Sequence, residues 1–416
     1  MGIFSFLSGS KKIVGHYGLA LDIGTEFVKS LIFEVKENKA KVIGVSKTRQ
    51  RLGDMQSGAV RDIKGVIETC EGSIRQAEEE AKISAQKAIL GIAGELIKGV
   101  TTIVHYTRID PEKEITFAEL SKIIQKVQEE AFNQARELLA EETGYSQVEV
   151  KLVNSAIVEV KIDGYRVNNP LGFKGKEIKV GVFNAFAPLV HLGALQTIAD
   201  ELGLDVISIA VEPYAVARAY SQEGDSSAIF IDIGGGTTDV AVVRKGGVEG
   251  TKMYGLGGHA FTQKIANELS LSFSEAEKTK IRYSAGSLEE KKKEKIKKAL
   301  SGDVGVWAQG LNLALEEFSA ELLPRNIFLC GGGTLLPEIK SVLEDLDWRK
   351  GLPFSRPPKI SFASLKDING VNDATGKLTA PQYVTPASLV NLSLELIGEE
   401  TILDDVLNQA VKTLRN

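Results

Sequence analysis

Tyr17-Gly-Leu-Ala-Leu-Asp22-Ile-Gly-Thr25-Glu-Phe-Val-Lys29-Ser-Leu-Ile-Phe33 reads as an apolar strand, a turn opened by Asp-Ile-Gly, and a second apolar strand. Ser227-Ala-Ile-Phe-Ile-Asp232-Ile-Gly-Gly-Gly-Thr237-Thr-Asp239-Val-Ala-Val-Val243 repeats that pattern. Single glycine hairpins are common, but recurrence of the aspartate, the glycine and both flanking strands signals an internally duplicated architecture. Glycine accepts positive φ and has no Cβ, so such turns let successive backbone N–H groups converge on an anion. Each copy therefore reads as a phosphate clamp, built from Gly24 and Thr25 in the first and from Gly234, Gly235, Gly236, Thr237 and Thr238 in the second. A carboxylate leading such a turn repels phosphate by itself. Asp22 and Asp232 are thus expected to hold a hydrated Mg2+, which keeps several waters and leans on one or two carboxylates. Two such clamps imply one nucleotide gripped between two related halves.

Composition excludes several other classes. No Gly-x4-Gly-Lys-[Ser/Thr] segment occurs, and neither glycine cluster is the Gly-x-Gly-x-x-Gly that opens a dinucleotide-binding helix. A net charge of −5 and a pI near 5.7 give no overall attraction to nucleic acid. Cys70 and Cys330 lie in apolar contexts and read as small core residues, and the four histidines, His16, His105, His191 and His259, show no metal-ligand spacing. No apolar run reaches transmembrane length, and the short run Ile3–Leu7 lacks the preceding positive region of a secretory signal. A cytoplasmic chain is expected.

Along the chain, apolar residues at three- and four-residue spacing predict a helix over 63–81. A strand follows over 88–93, then a helix over 116–141, strands over 148–153 and 156–162, a turn at Asp163-Gly164 and a strand over 177–183. Residues 95–186 read as an inserted α+β module, because they separate the first clamp's strands from the helix near 189–202 that should return to them. The expected segments are a first half over 1–94 resuming at 187–224, a second half over 225–253 and 329–384 with a subdomain at 254–328, and C-terminal helices over 385–416 returning to the first half. Gly257 and Gly258 open a helix over 261–269, whose N-terminus favours an anion. Gly331, Gly332 and Gly333 form a tight strand-to-helix turn against which a base or an α-phosphate can pack. The charge run 289–298 predicts a solvated helix or loop.

The order Asp-Ile-Gly-Thr, Glu212-Pro-Tyr-Ala, Asp-Ile-Gly-Gly-Gly-Thr-Thr-Asp, Gly-Leu-Gly-Gly, Glu275-Ala-Glu277-Lys-Thr-Lys280 and Cys-Gly-Gly-Gly-Thr-Leu-Leu-Pro resembles the actin-type ATPases, most closely the FtsA family of bacterial cell division. Gly91-Ile-Ala-Gly94 and 167–175 are similar to that family's segments at and within its insertion. The resemblance implies an α/β actin-like ATPase fold, two duplicated halves around a nucleotide cleft with an inserted α+β module. It further implies ATP and Mg2+ as cofactors and, at most, slow hydrolysis. Asp22 and Asp232 would then hold the metal through water, Lys29 would reach the phosphates, and Glu212 would position the attacking water. Glu277 and Lys280 would face ribose and adenine, and Gly331 to Gly333 would pack on adenosine. The implied partners are an FtsZ-type filament protein, further copies of the chain in a polymer, and the inner face of the cytoplasmic membrane.

The termini depart from that family, whose members usually end in a membrane helix with aromatic and basic residues. Here 401–416 carries Leu403, Leu407, Ala410, Val411 and Leu414 without an aromatic, and its acidic residues weaken attraction to anionic lipid. It reads as a docking or core helix. The apolar cluster of Met1–Lys12 is instead expected to supply attachment to a membrane or a membrane partner. That cluster and Lys29 are also similar to PilM, the actin-like scaffold of type IV pilus machines. A small-molecule kinase of the same superfamily is the other alternative, although it needs a hydroxyl-binding carboxylate that the sequence does not identify.

Overall fold

Two sheets built to one plan face each other across a pair of buried helices. The computed structural model describes residues 17–144, 148–220, 226–345, 347–397, 403 and 405–408. The arm Met1–Lys12 and the positions Ala410, Val411 and Leu414 lie outside the described residues.

The strands in chain order are β1 (Tyr17–Ile23), β2 (Phe27–Lys36), β3 (Lys39–Arg49), the small hairpin β4 (Met55–Gln56) and β5 (Ala59–Val60), β6 (Lys87–Ile92), β7 (Lys98–Thr107), β8 (Val150–Ile162), β9 (Tyr165–Arg166), β10 (Glu177–Pro188) and β11 (Asp205–Val211). They continue as β12 (Ala228–Ile233), β13 (Thr238–Arg244), β14 (Gly247–Tyr254), β15 (Asn326–Cys330), β16 (Lys359–Phe362) and β17 (Val371–Asp373). The helices are α1 (Ile63–Ala81), α2 (Phe117–Thr143), α3 (Leu189–Glu201), α4 (Glu212–Tyr220), α5 (Gly258–Leu269), α6 (Phe273–Ser284), α7 (Glu290–Glu316), α8 (Pro337–Glu344) and α9 (Val384–Ile397).

The first sheet runs β11-β6-β1-β2-β3-β17, and the second contains β16-β15-β12-β13-β14. In both, the clamp hairpin (β1–β2, β12–β13) is antiparallel and its first strand pairs in parallel with a neighbour (β6, β15). Five strands thus repeat in the same order and sense. Their centres are apolar on both faces, as expected for strands covered on either side: β1 is buried at every position after Tyr17. The covering helices on the inside are α9, packed on β1, β2 and β6, and α4, packed on β12, β13 and β14. Helix α1 covers the outer side of the first sheet. Its start is set by Asp62, whose carboxylate accepts from Gly65 N–H at 3.1 Å, and its end by Lys82 at φ 57.

Residues 95–186 continue the second sheet, because β7 pairs with β14 at Gly250↔Val100 and the order runs on through β10, β8 and β9. Helix α2 packs on this extension over Leu120, Ile124, Val127 and Val180. Strand β8 runs unbroken through Asn154-Ser155, where the sequence suggests an interruption. Both polar side chains are satisfied: Asn154 Oδ1 accepts from Val211 N–H at 2.7 Å, and Ser155 bonds Gln128 and Asn184. Of the expected C-terminal helices, α9 packs on the first sheet, while the end of the described chain lies elsewhere. Val406 and Leu407 are buried in the same core as α2. Among the described residues, no helix is long and apolar enough to cross a membrane.

Candidate functional site

The two clamp turns are closed by the same hydrogen bond, Gly24 N–H to Phe27 C=O at 3.2 Å and Gly234 N–H to Thr237 C=O at 2.9 Å. They lie against each other: a Cβ on Gly235 would meet Glu26 Cβ at 2.7 Å, and one on Gly236 would meet Thr25 Oγ1 at 2.8 Å. Between and behind them is a cavity of about 470 Å3. Its wall includes Asp22, Gly24, Thr25, Lys29, Glu212, Asp232, Gly234, Gly235, Thr237, Gly258, Glu277, Lys280 and Gly331 to Gly333, all singled out from the sequence.

Three expected residues stand behind the wall. Gly236 and Gly257 allow the loops to approach, since a Cβ on Gly257 would meet Gly235 C=O at 2.8 Å. Thr238 is fully buried; its hydroxyl donates to Leu256 C=O at 2.6 Å and accepts from Trp307 Nε1–H at 2.9 Å. The start of α5 props the second clamp, with Gly258 and His259 N–H donating to the carbonyls of Gly234 and Gly235 at 2.9 and 2.7 Å. Lys280 Nζ donates to Gly258 C=O at 2.8 Å and to Thr262 Oγ1 at 2.7 Å, and pairs with Glu277 at 2.8 Å.

The floor of the cavity is dominated by carboxylates. Strand register sets Lys29 opposite Asp22 and Asp239 opposite Asp232. Lys29 Nζ bonds Asp22 Oδ2 at 2.7 Å. Burial works against the Lys29 ammonium, but Asp22, Asp232 and Glu212 outweigh it and hold its pKa above the ordinary lysine value. Glu212, the first residue of α4, is admitted by Gly91, where a Cβ would meet Glu212 Oε1 at 2.6 Å. Burial, then the charges of Asp22, Asp239 and Asp232, push Glu212 well above the usual carboxylate range. Asp239 is raised by burial and by Asp232, and its Oδ1 is buried with no hydrogen-bond partner. Asp232 is raised chiefly by burial, with Thr385 Oγ1–H donating to its Oδ2. Gly331 holds φ 84, and a Cβ there would overlap Asp232 Oδ1.

Four carboxylates facing one ammonium leave negative charge that a cation would relieve, and glycine walls suit a polyphosphate. The residues therefore fit Mg2+ with a nucleotide. Among the described residues no three His, Cys, Asp or Glu side chains are grouped to hold an ion, so a metal here would lean on one or two carboxylates, with water or phosphate completing its shell. Cys330 and Cys70 are buried and unpaired, and burial pushes the Cys70 thiol up to about 12, in keeping with inert core residues.

Several wall residues have no local motif. Glu26 accepts from Arg49 Nε–H at 2.6 Å and lies 2.5 Å from His259 Nε2, joining the two halves at the cleft. Lys47, Gln382 and Thr385 also line the cavity. The one signal for Lys47 is register, since β3 places it directly opposite Lys29.

Duplicated five-strand sheets enclosing a cleft between two hairpin turns define the actin-like ATPase fold. A solved PilM-PilN type IV pilus biogenesis complex shares it, with a TM-score of 0.64 over 92% of this chain and 99% of that one at 18% identity. Within that class, the family model for cell division protein FtsA matches residues 229–388. The FtsA of Streptococcus pneumoniae is 25% identical over 78% of this chain and 72% of its own length. That of Neisseria meningitidis serogroup B is 24% identical over 92% and 91%. The resemblance to FtsA carried by the motifs is thus also found across most of the chain.

Proposed function

We propose that the cleft binds Mg·ATP and that the chain acts as an FtsA-like cell-division protein, assembling at the inner face of the cytoplasmic membrane and tethering FtsZ-type filaments. The carrying observation is that two copies of one hairpin turn touch over a single cavity whose floor sets several carboxylates against the Lys29 ammonium. Relatives named FtsA support the division role.

Mg·ATP, when bound, would supply the divalent charge and a hydrolysable terminal phosphate. Asp22 and Asp232 would receive the metal's water shell, while Thr25, Thr237 and the glycine turns would donate to phosphate oxygens. Glu212 would orient a water molecule, with at most slow turnover. Because both turns would grip one polyphosphate, nucleotide occupancy would bias the angle between the halves, and thereby self-association into polymers. The arm Met1–Lys12 would hold such polymers on the membrane, since weak apolar contacts add multivalently.

The test is capture from the source cell with full-length tagged chain and Mg·ATP. An FtsZ-type protein should be recovered. Recovery of a pilus inner-membrane protein in its place would favour the PilM-like reading, and transfer of labelled phosphate to a metabolite would favour a kinase.

A further inference from the structure

We propose that Lys47 is a second cationic contact for the bound nucleotide, and that it reads a phosphate which ADP and ATP share. The inference rests on the cleft being a nucleotide site, and it adds a residue to which neither motif nor resemblance assigns a role.

Lys47 and Lys29 are directly opposite on antiparallel strands, so both side chains leave the same face of the sheet toward the cavity. Like charges in that arrangement repel. The other ammonium groups on the wall are neutralised, Lys29 by Asp22 at 2.7 Å and Lys280 by Glu277 at 2.8 Å. Lys47 has neutral partners: it donates to Gln382 Oε1 at 3.0 Å and lies 4.0 Å from the centre of the Phe27 ring. Burial and the charge of Lys29 pull its pKa down to about 8, with Glu277 and Glu26 acting in the opposite sense. A half-buried cation kept beside another cation, without a carboxylate in contact, is completed by an anion from the ligand.

The position along the cleft follows from its neighbours. Lys29 feels Asp22, Asp232 and Glu212, the carboxylates of the metal end. Lys47 instead feels Glu277 and Glu26, and its partner Gln382 adjoins Gly332, where a Cβ would lie 3.7 Å from Gln382 Oε1. Lys47 therefore lies toward the glycine turn at 331–333, on the nucleoside side of Lys29. A phosphate close to the ribose is within its field, and that phosphate is present in both nucleotides.

The experiment titrates ATP, ADP and adenosine, each with Mg2+, into the full chain and into the Lys47→Gln and Lys47→Arg variants. Lys47→Gln should weaken ATP and ADP by a similar factor of about ten, the scale of one charge-assisted contact, and leave adenosine unchanged. Lys47→Arg should restore most of the affinity. Amine labelling of the unmodified chain should be slower at Lys47 when ADP is present. Unchanged nucleotide affinity in Lys47→Gln, or a loss confined to ATP, would overturn the proposal while leaving the nucleotide site standing. An equal loss for adenosine would assign Lys47 a structural role and overturn it too. If the wild-type chain binds neither nucleotide, the nucleotide reading itself fails, and the assignment of Lys47 with it.

Discussion

Seven residues beyond the clamp aspartate stands Lys29 in the first half and Asp239 in the second, each directly opposite that aspartate across its hairpin. The backbones repeat and the charges do not. The first clamp neutralises itself through the Asp22–Lys29 bond, whereas the second holds two carboxylates raised chiefly by burial, Asp239 further by the charge of Asp232 and left with an orphaned oxygen. One duplicated turn has thus become a settled half and a half waiting for a cation. A symmetric pair of neutral clamps would need no metal, and a symmetric pair of acidic ones would repel phosphate from both sides.

The sharpest way to break this comparison is to remove the lysine. Lys29→Met leaves Asp22 buried beside other carboxylates with no counter-ion, and loss of one partner from a buried pair costs about 3–5 kcal/mol. Urea unfolding should register that loss without nucleotide present. A change under about 1 kcal/mol would mean that the first clamp is not neutralised as described.

Asp232→Asn acts on the other half and should affect binding rather than folding. Losing a carboxylate that orients metal-bound water commonly weakens affinity by about 10–100-fold. Calorimetric titration with Mg·ATP should show such a drop with an unfolding midpoint no lower than that of the unmodified chain, and equal affinity would remove Asp232 from the site.

The smallest effect carries the opposite sign. Glu212, Asp232 and Asp239 all have folded pKa values above their unfolded ones. Their contribution to stability is therefore fully present below the unfolded carboxylate pKa, about 4, and is lost as pH rises through the folded values. Asp239→Asn should stabilise the nucleotide-free chain by about 1–2 kcal/mol at pH 7, with the advantage vanishing near pH 4. Thermal melts at the two pH values read this directly. A destabilised Asp239→Asn at pH 7 would show that the second clamp is balanced without a cation.

Much of this was legible because the clamps are local. Asp-Ile-Gly and its flanking apolar runs lie within one hairpin, and α1 follows from three- and four-residue spacing begun by the Asp62 cap. The charge run at 289–298 does form the solvated start of α7. What stayed hidden depends on partners far away in sequence. Strand β7, Lys-Gly-Val-Thr-Thr-Ile-Val-His-Tyr-Thr, is too polar for an obvious strand and is fixed by its pairing with β10 and β14. Strand β8 looked broken at Asn154-Ser155 until its polar groups found Val211, Gln128 and Asn184. Lys47 enters the site by the register of β2 on β3, and Thr385 through a bond to Asp232 across 153 positions of chain. The contact between Glu26 and His259 spans both halves and leaves no trace in either motif.

The central claim is that both turns close on one ligand. Backbone hydrogen exchange of the full chain, with and without Mg·ATP, tests it directly. Residues 24–26 and 234–237 should gain protection together, with the same dependence on ATP concentration. Protection of the second turn alone, or of the two at separate concentrations, would contradict a single nucleotide held between duplicated clamps.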